Sequence, residues 1–167
     1  MAQMIRFDDG IKEYQINNNG VLRMNPGDPN LYDRFFQAQG KLLAVEKDLV
    51  EKGKAVQLLP DDASDLQKAE TGSQMVHLLA EADIKSKEVL NWVFPGNNFD
   101  RLLGGVNCMA VAVNGERVIT NLMDALAPII TEGAKNCADI KADAAVAQAK
   151  KNRAQRRAEN KQKGRKE

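Results

Sequence analysis

DPNLYDRFFQAQGKLLAVEKDLVEKG, residues 28 to 53, decides how the rest of the chain must fold, because it has the pattern of one amphipathic helix with both ends marked. Asp28 can cap it, Pro29 fits the first turn, where a missing N–H costs nothing, and Gly53 suits the left-handed residue that closes a helix. Leu31, Phe35, Ala38, Leu42, Val45 and Leu49 recur at alternating spacings of four and three, which places all six on one stripe. A second line, Tyr32, Phe36, Leu43 and Val50, lies beside the first. Two parallel lines exceed a narrow coiled-coil seam, so the helix is expected to face an intramolecular core.

Upstream, the short apolar runs MIRF, IKEYQI and VLRM are separated by DDG and NNNG, whose Asp-Gly and Asn-Gly pairs supply the positive φ of tight turns. A two- or three-stranded β meander over residues 3 to 25 follows, with Tyr14 and Ile16 sharing one face and Leu22 and Met24 another. Downstream, Pro60 ends a short link, and Asp61 or Asp62 can cap a second helical region from about Ala63 to Phe94. Gly72 and Ser73 predict a kink or break in it. PGNN, residues 95 to 98, stops that region, Phe99, Leu102 and Leu103 make one helical turn, and Gly104-Gly105 frees the backbone. Asn114-Gly115 fits either a hairpin turn or the punctuation before a helix; the spacing of Val118, Leu122, Ala125, Leu126, Ile129 and Ile130 favours a helix from near Glu116, bent at Pro128. From Gly133 to Ala149 the chain is Ala-rich, with Cys137, Ile140, Ala144 and Ala147 forming a thin apolar line.

The fold class expected is α+β: a mainly α-helical single domain over residues 1 to 149, with a small N-terminal β meander and a flexible basic C-terminal tail over 150 to 167. A chain of 167 residues buries on the order of 70% of its unfolded surface and needs no staples. The formal charge of +1 hides a split. Residues 150 to 167 hold nine Lys/Arg against two Asp/Glu, a net of +7, whereas residues 1 to 149 hold fifteen against twenty-one, a net of −6. That tail, with no residue more apolar than alanine, is expected to be a solvated extension, helical at most transiently. Cys108 and Cys137 have no metal-spaced partner and are expected to be reduced, buried small hydrophobes. No run approaches the eighteen or so apolar residues of a membrane helix, so no membrane partner is expected and the simplest compartment is a cytoplasm.

Chemistry-bearing motifs are sparse. His77, the only histidine, stands four residues before Glu81 and is expected to be a surface pair rather than a proton relay, since no nucleophile accompanies it. Asp8-Asp9 and Asp61-Asp62 sit where aspartates serve turns and caps, so no metal is expected there. No phosphate-cradling glycine pattern occurs, no cofactor is expected, and the chain is expected not to be an enzyme. Lys150, Lys151, Arg153, Arg156, Arg157, Lys161, Lys163, Arg165 and Lys166 can contact a polyanion or an acidic partner, including other copies of this acidic body. No aromatic is interleaved for base stacking, so nucleic acid ranks below a solubilising or protein-binding terminus.

IRFDDGIKEYQINNNGVLRMNPGDPNLYDRFFQ, the mid-chain VLNWVFPGNNFDRLLGG and the later NGERVITNLMDALAPII together resemble the tail assembly chaperones, or tail-assembly proteins, of phages and prophages of Gram-positive hosts. The likeness covers about residues 4 to 132 and rests on turn-and-helix signatures. It implies an α-rich, non-enzymatic viral protein of the host cytoplasm that associates with the tail tape measure or tail tube protein and keeps it soluble until polymerisation. Such a role needs exposed apolar grooves between helices; the contact residues are then whichever of Tyr32, Phe36, Leu43, Val50, Trp92, Phe94 and Phe99 face solvent. Self-association and nucleic-acid binding through the tail are the other partners to weigh.

Overall fold

Helix-forming spacing in residues 28 to 53 produces α1, Pro29–Val56, in a computed structural model that describes residues 2–56, 59–60 and 62–163, with side chains up to residue 152. Before it come β1, Lys12–Ile16, and β2, Gly20–Met24; after it come α2, Asp65–Val93, the single turn α3, Phe99–Leu102, and α4, Val118–Lys163. The chain is therefore α+β and mainly helical, with a two-stranded antiparallel N-terminal sheet. Ion pairs of Lys52 with Glu81 and of Asp48 with Lys85, together with Lys41 over Trp92, run in opposite chain directions, so α1 and α2 form an antiparallel pair.

The predicted stripe holds as a core line. Leu31, Phe35, Ala38 and Leu49 are buried, with Leu42 and Val45 half-buried against them. Gly53 is not the terminator: α1 continues to Val56, and Gly53 lies buried where a side chain would meet the Met75 methyl at 3.3 Å. Absence of a Cβ lets the two helices approach there.

At the start of α2, Ser64 rather than Asp62 is the cap. Its hydroxyl accepts from the Gln67 amide at 3.3 Å, and the Gln67 side chain accepts from the Ser64 amide at 2.9 Å, a reciprocal capping box. Asp61 lies outside the described residues. The break predicted at Gly72 does not occur; the glycine is exposed within a continuous helix, and its penalty of about 1 kcal/mol is spread over 29 residues.

Of the predicted meander, residues 12 to 24 form a hairpin and residues 3 to 10 form no strand. The register pairs Tyr14 with Leu22 and Lys12 with Met24, so Tyr14, Ile16, Leu22 and Met24 share one face rather than two. That face covers Leu102 and its core neighbours. Asn17, at φ 45°, takes the left-handed position of the turn instead of a glycine.

On the far edge of β2, the Asn97 side chain accepts from the Arg23 amide and donates to the Arg23 carbonyl, both at 2.9 Å, in place of a neighbouring strand. Asn114-Gly115 serves both predicted roles. Val111 bridges Arg117 across a turn with Gly115 at φ 86°, and α4 then starts at Val118.

Helix α4 supplies Ile119, Leu122, Leu126 and Ile130 to the core and runs through Pro128. It then crosses the β2–α1 turn. Gly133 sits so close to Pro26 that no Cβ fits, and Gly27 is near the Cys137 side chain. Partial burial raises the Tyr14 phenol, and the Glu132 carboxylate of α4 adds to the shift.

Beyond Cys137 every side chain through Asn152 is exposed, while the backbone stays helical to Lys163. Residues 150 to 163 were expected to be helical only transiently. Alanine, arginine, lysine and glutamine dominate them, and these are the best helix formers, so the helix propagates from a nucleus already built.

Candidate protein-binding surface

Apart from Tyr32, the second apolar line of α1 does not enter the core. Phe36 is 67% exposed, Leu43 66% and Val50 42%, whereas Tyr32 is half-buried and its hydroxyl donates to the Pro26 carbonyl at 2.6 Å. The spacing of 36, 43 and 50 is two helical turns each, so the three lie in register on the outer side of α1. Trp92 is 40% exposed, with the Lys41 ammonium 4.9 Å above its ring. Phe94 and Phe99 are removed from the contact set: both are fully buried with ring centroids 5.4 Å apart, because α3 folds back over the end of α2.

Two grooves open along α1, the first of them beside the exposed line. One, of about 230 Å³, lies between α1 and the start of α4 and is lined by Leu42, Leu43, Met109, Ile119 and Met123. Arg117 closes one side, its Nη1 donating to the Met109 carbonyl at 2.9 Å and its Nε lying 3.4 Å from Glu46. The other, of about 450 Å³, lies between α1 and α2 over Ala44, Val45, Val89 and Trp92, rimmed by Lys41, Lys85 and Glu88. Met109, Ile119 and Met123 were not singled out from sequence; only the i, i+4 pair Ile119 and Met123 carried a signal. Methionine in such a groove adapts to irregular apolar partners.

Along the α1–α2 seam, Lys52 reaches Asp48 at 2.9 Å and Glu81 at 3.9 Å, while Lys85 reaches Asp48 at 3.4 Å. The hydrogen bond from Lys52, with that from Lys85, holds the Asp48 carboxyl below its usual range. Glu81 thus faces Lys52; His77, expected to pair with it, is exposed beside the shallow groove of Val56 and Leu78.

A polar cluster around the buried Lys87 was not singled out from the sequence. Lys87, 7% exposed, donates to Asp83 at 2.8 Å and to Asp100 at 2.7 Å, tying α3 to α2. Asp83 also accepts the Cys108 amide at 2.7 Å. Burial works against charge on both Lys87 and Asp83, yet their hydrogen bonds outweigh it, leaving the ammonium raised and the carboxyl lowered. Burial, with Asp83 alongside, pushes the Cys108 thiol up to about 12, so the sulfur stays protonated and unreactive. Ser86 is buried close to Cys108, and no oxygen or nitrogen among the described residues pairs with its hydroxyl. Only the i, i+4 spacing of Asp83 and Lys87 hinted at this clamp.

Asp8 and Asp9 accept the amides of Gly10 and Ile11, as turn aspartates do, and Asp62 is exposed. Among the described residues no three His, Cys, Asp or Glu side chains gather to hold a metal ion, and no helix is long and apolar enough to cross a membrane. Both cysteines are free; Cys137 is half-buried rather than buried. Of the basic residues, Lys150 and Lys151 are exposed on α4, Arg153, Arg156, Arg157, Lys161 and Lys163 fall on its helical backbone, and Arg165 and Lys166 lie outside the described residues. No protein-family model matches this chain, and comparisons with curated proteins and with solved structures find no match.

Proposed function

We propose that this chain is a non-enzymatic protein-binding factor of phage tail morphogenesis, a tail assembly chaperone that engages the tape measure or tail tube protein in the host cytoplasm. One observation carries the binding role: Phe36, Leu43 and Val50 stand exposed in line on α1 beside a groove floored by Leu42, Met109, Ile119 and Met123. An exposed apolar line with a groove at its side fits an amphipathic helix, read through anchors one or two turns apart. The tail-assembly context comes from the sequence resemblance over residues 4 to 132. Co-expression with the tape measure and tube proteins, followed by pull-down, tests it. The F36S/L43S/V50S variant is expected to lose client capture while keeping the wild-type helical circular dichroism; undiminished capture by that variant overturns the reading.

A nucleic-acid-associated or regulatory phage protein is the second reading, favoured by the continuation of α4 into the basic segment. Filter binding of DNA or RNA with a steep salt dependence, lost on deleting residues 150 to 167, supports it; no retention, or retention insensitive to salt, removes it.

A further inference from the structure

From residue 138 onward α4 leaves the body as a lone helix, with every side chain through Asn152 in water. Most helices in proteins are held by packing of one face, and residues 138 to 152 of this arm have none among the described residues. Its sequence nevertheless keeps a seam. Ile140, Ala144 and Ala147 repeat at spacings of four and three, Lys151 takes the next position, and Ala154 and Ala158 resume the line. On the flank immediately beside that seam stand Asp143, Lys150 and Arg157, seven residues apart, with the sign of charge reversing between the first and the second.

We propose that this arm pairs with the same arm of a second copy of the chain, antiparallel, about a two-fold axis lying between Ala144 and Ala147. In that register Ala144 of one copy packs beside Ala147 of the other, and Ile140 lies against the stem of Lys151. Asp143 then faces Lys150 of the second copy, and the symmetry makes the same pair twice. A parallel arrangement sets Asp143 and Lys150 against Gln148 and Gln155 instead, wasting both charges. The alanines let the helix axes approach to about 8 Å. One lysine within the seam costs stability but fixes register, as single polar seam residues do. Antiparallel pairing also carries the basic end of each arm, part of the +7 segment, back along the other copy towards its acidic body, of net −6. The inference concerns a surface distinct from the α1 grooves and does not depend on the client assigned to them.

Sedimentation velocity on the full chain over a concentration series tests it. The wild type is expected to move from one chain mass to two as concentration rises. D143K or K150D, each replacing two attractive pairs by two repulsive ones, is expected to raise the dimer Kd on the order of tenfold. The double variant D143K/K150D re-pairs them and restores association to within about threefold. Both sites are exposed, so circular dichroism of all three variants should match the wild type. A chain that stays monomeric throughout, including one whose arm retains DNA on a filter, overturns the proposal, as does a double variant that associates no better than the single ones.

Discussion

Gly133 shows how much one missing methyl group can decide. Helix α4 touches the β2–α1 turn there, and a Cβ at that position collides with the Pro26 carbonyl oxygen. Alanine favours helices by about 1 kcal/mol over glycine, but backbone cannot yield as a side chain tip can. Gly133→Ala is therefore expected to destabilise by about 2 kcal/mol, read as a lower urea midpoint with an unchanged slope. Cys108 makes a different prediction. Its folded thiol titrates at about 12 against roughly 8.5 in an unfolded chain, so its contribution is complete below the lower value and is lost as pH rises through the interval. Between about pH 9 and 10, before lysines titrate, stability should fall by about 1.4 kcal/mol per pH unit, and Cys108→Ala should flatten that slope; an equal slope in the variant refutes the assignment. The burial of Cys108 was legible beforehand, but neither Asp83 beside it nor the close approach at Gly133 was. A glycine in an Ala-rich stretch and a cysteine in a loop carry no mark of what will lie against them, and the spacing of Asp83 and Lys87 gives no sign of Asp100, which comes from α3.

At the scale of elements, local signals served well wherever the deciding interaction was itself local. The stripe from Leu31 to Leu49, the stop at Pro95, the single turn at Phe99 and the start of α4 all follow from spacing and caps within a few residues. Periodicity identifies a face, however, and not what covers it. Phe36, Leu43 and Val50 form a line found by the same rule that placed Leu31 and Phe35 in the core, yet they stand exposed, Leu43 at the side of the groove that α1 makes with α4. Half of the contact set was legible for this reason: the apolar line was found, while Met109 and Met123 come from two other segments. Gly72 shows the opposite error, a local breaker overruled by helix on both sides. With nothing within 4 Å of its absent side chain, Gly72→Ala should stabilise α2 by about 0.5–1 kcal/mol, measured by thermal or urea unfolding; a loss of stability would mean that the glycine conformation is required.

For the whole molecule, the core ends with Ile130 on α4, and the described side chains beyond Cys137, through Asn152, stand outside it. Deleting residues 150 to 167 should thus leave Tm within about 2 °C of wild type in dilute solution, since Lys150, Lys151 and Asn152 are exposed where the deletion begins; a larger drop would place the deleted residues in the fold. The charge split was plain from composition, whereas the continuity of α4 was not, because solvation and helix propensity pull such sequences opposite ways. The Asn97 side chain that closes the outer edge of β2 has a temporal consequence. Two strands alone are marginal in water, and both the amide that seals this pair and the Leu102 that lies under it are placed only after α2. During synthesis the hairpin therefore settles late, because Asn97, 74 residues after Arg23, must first follow it out of the ribosome.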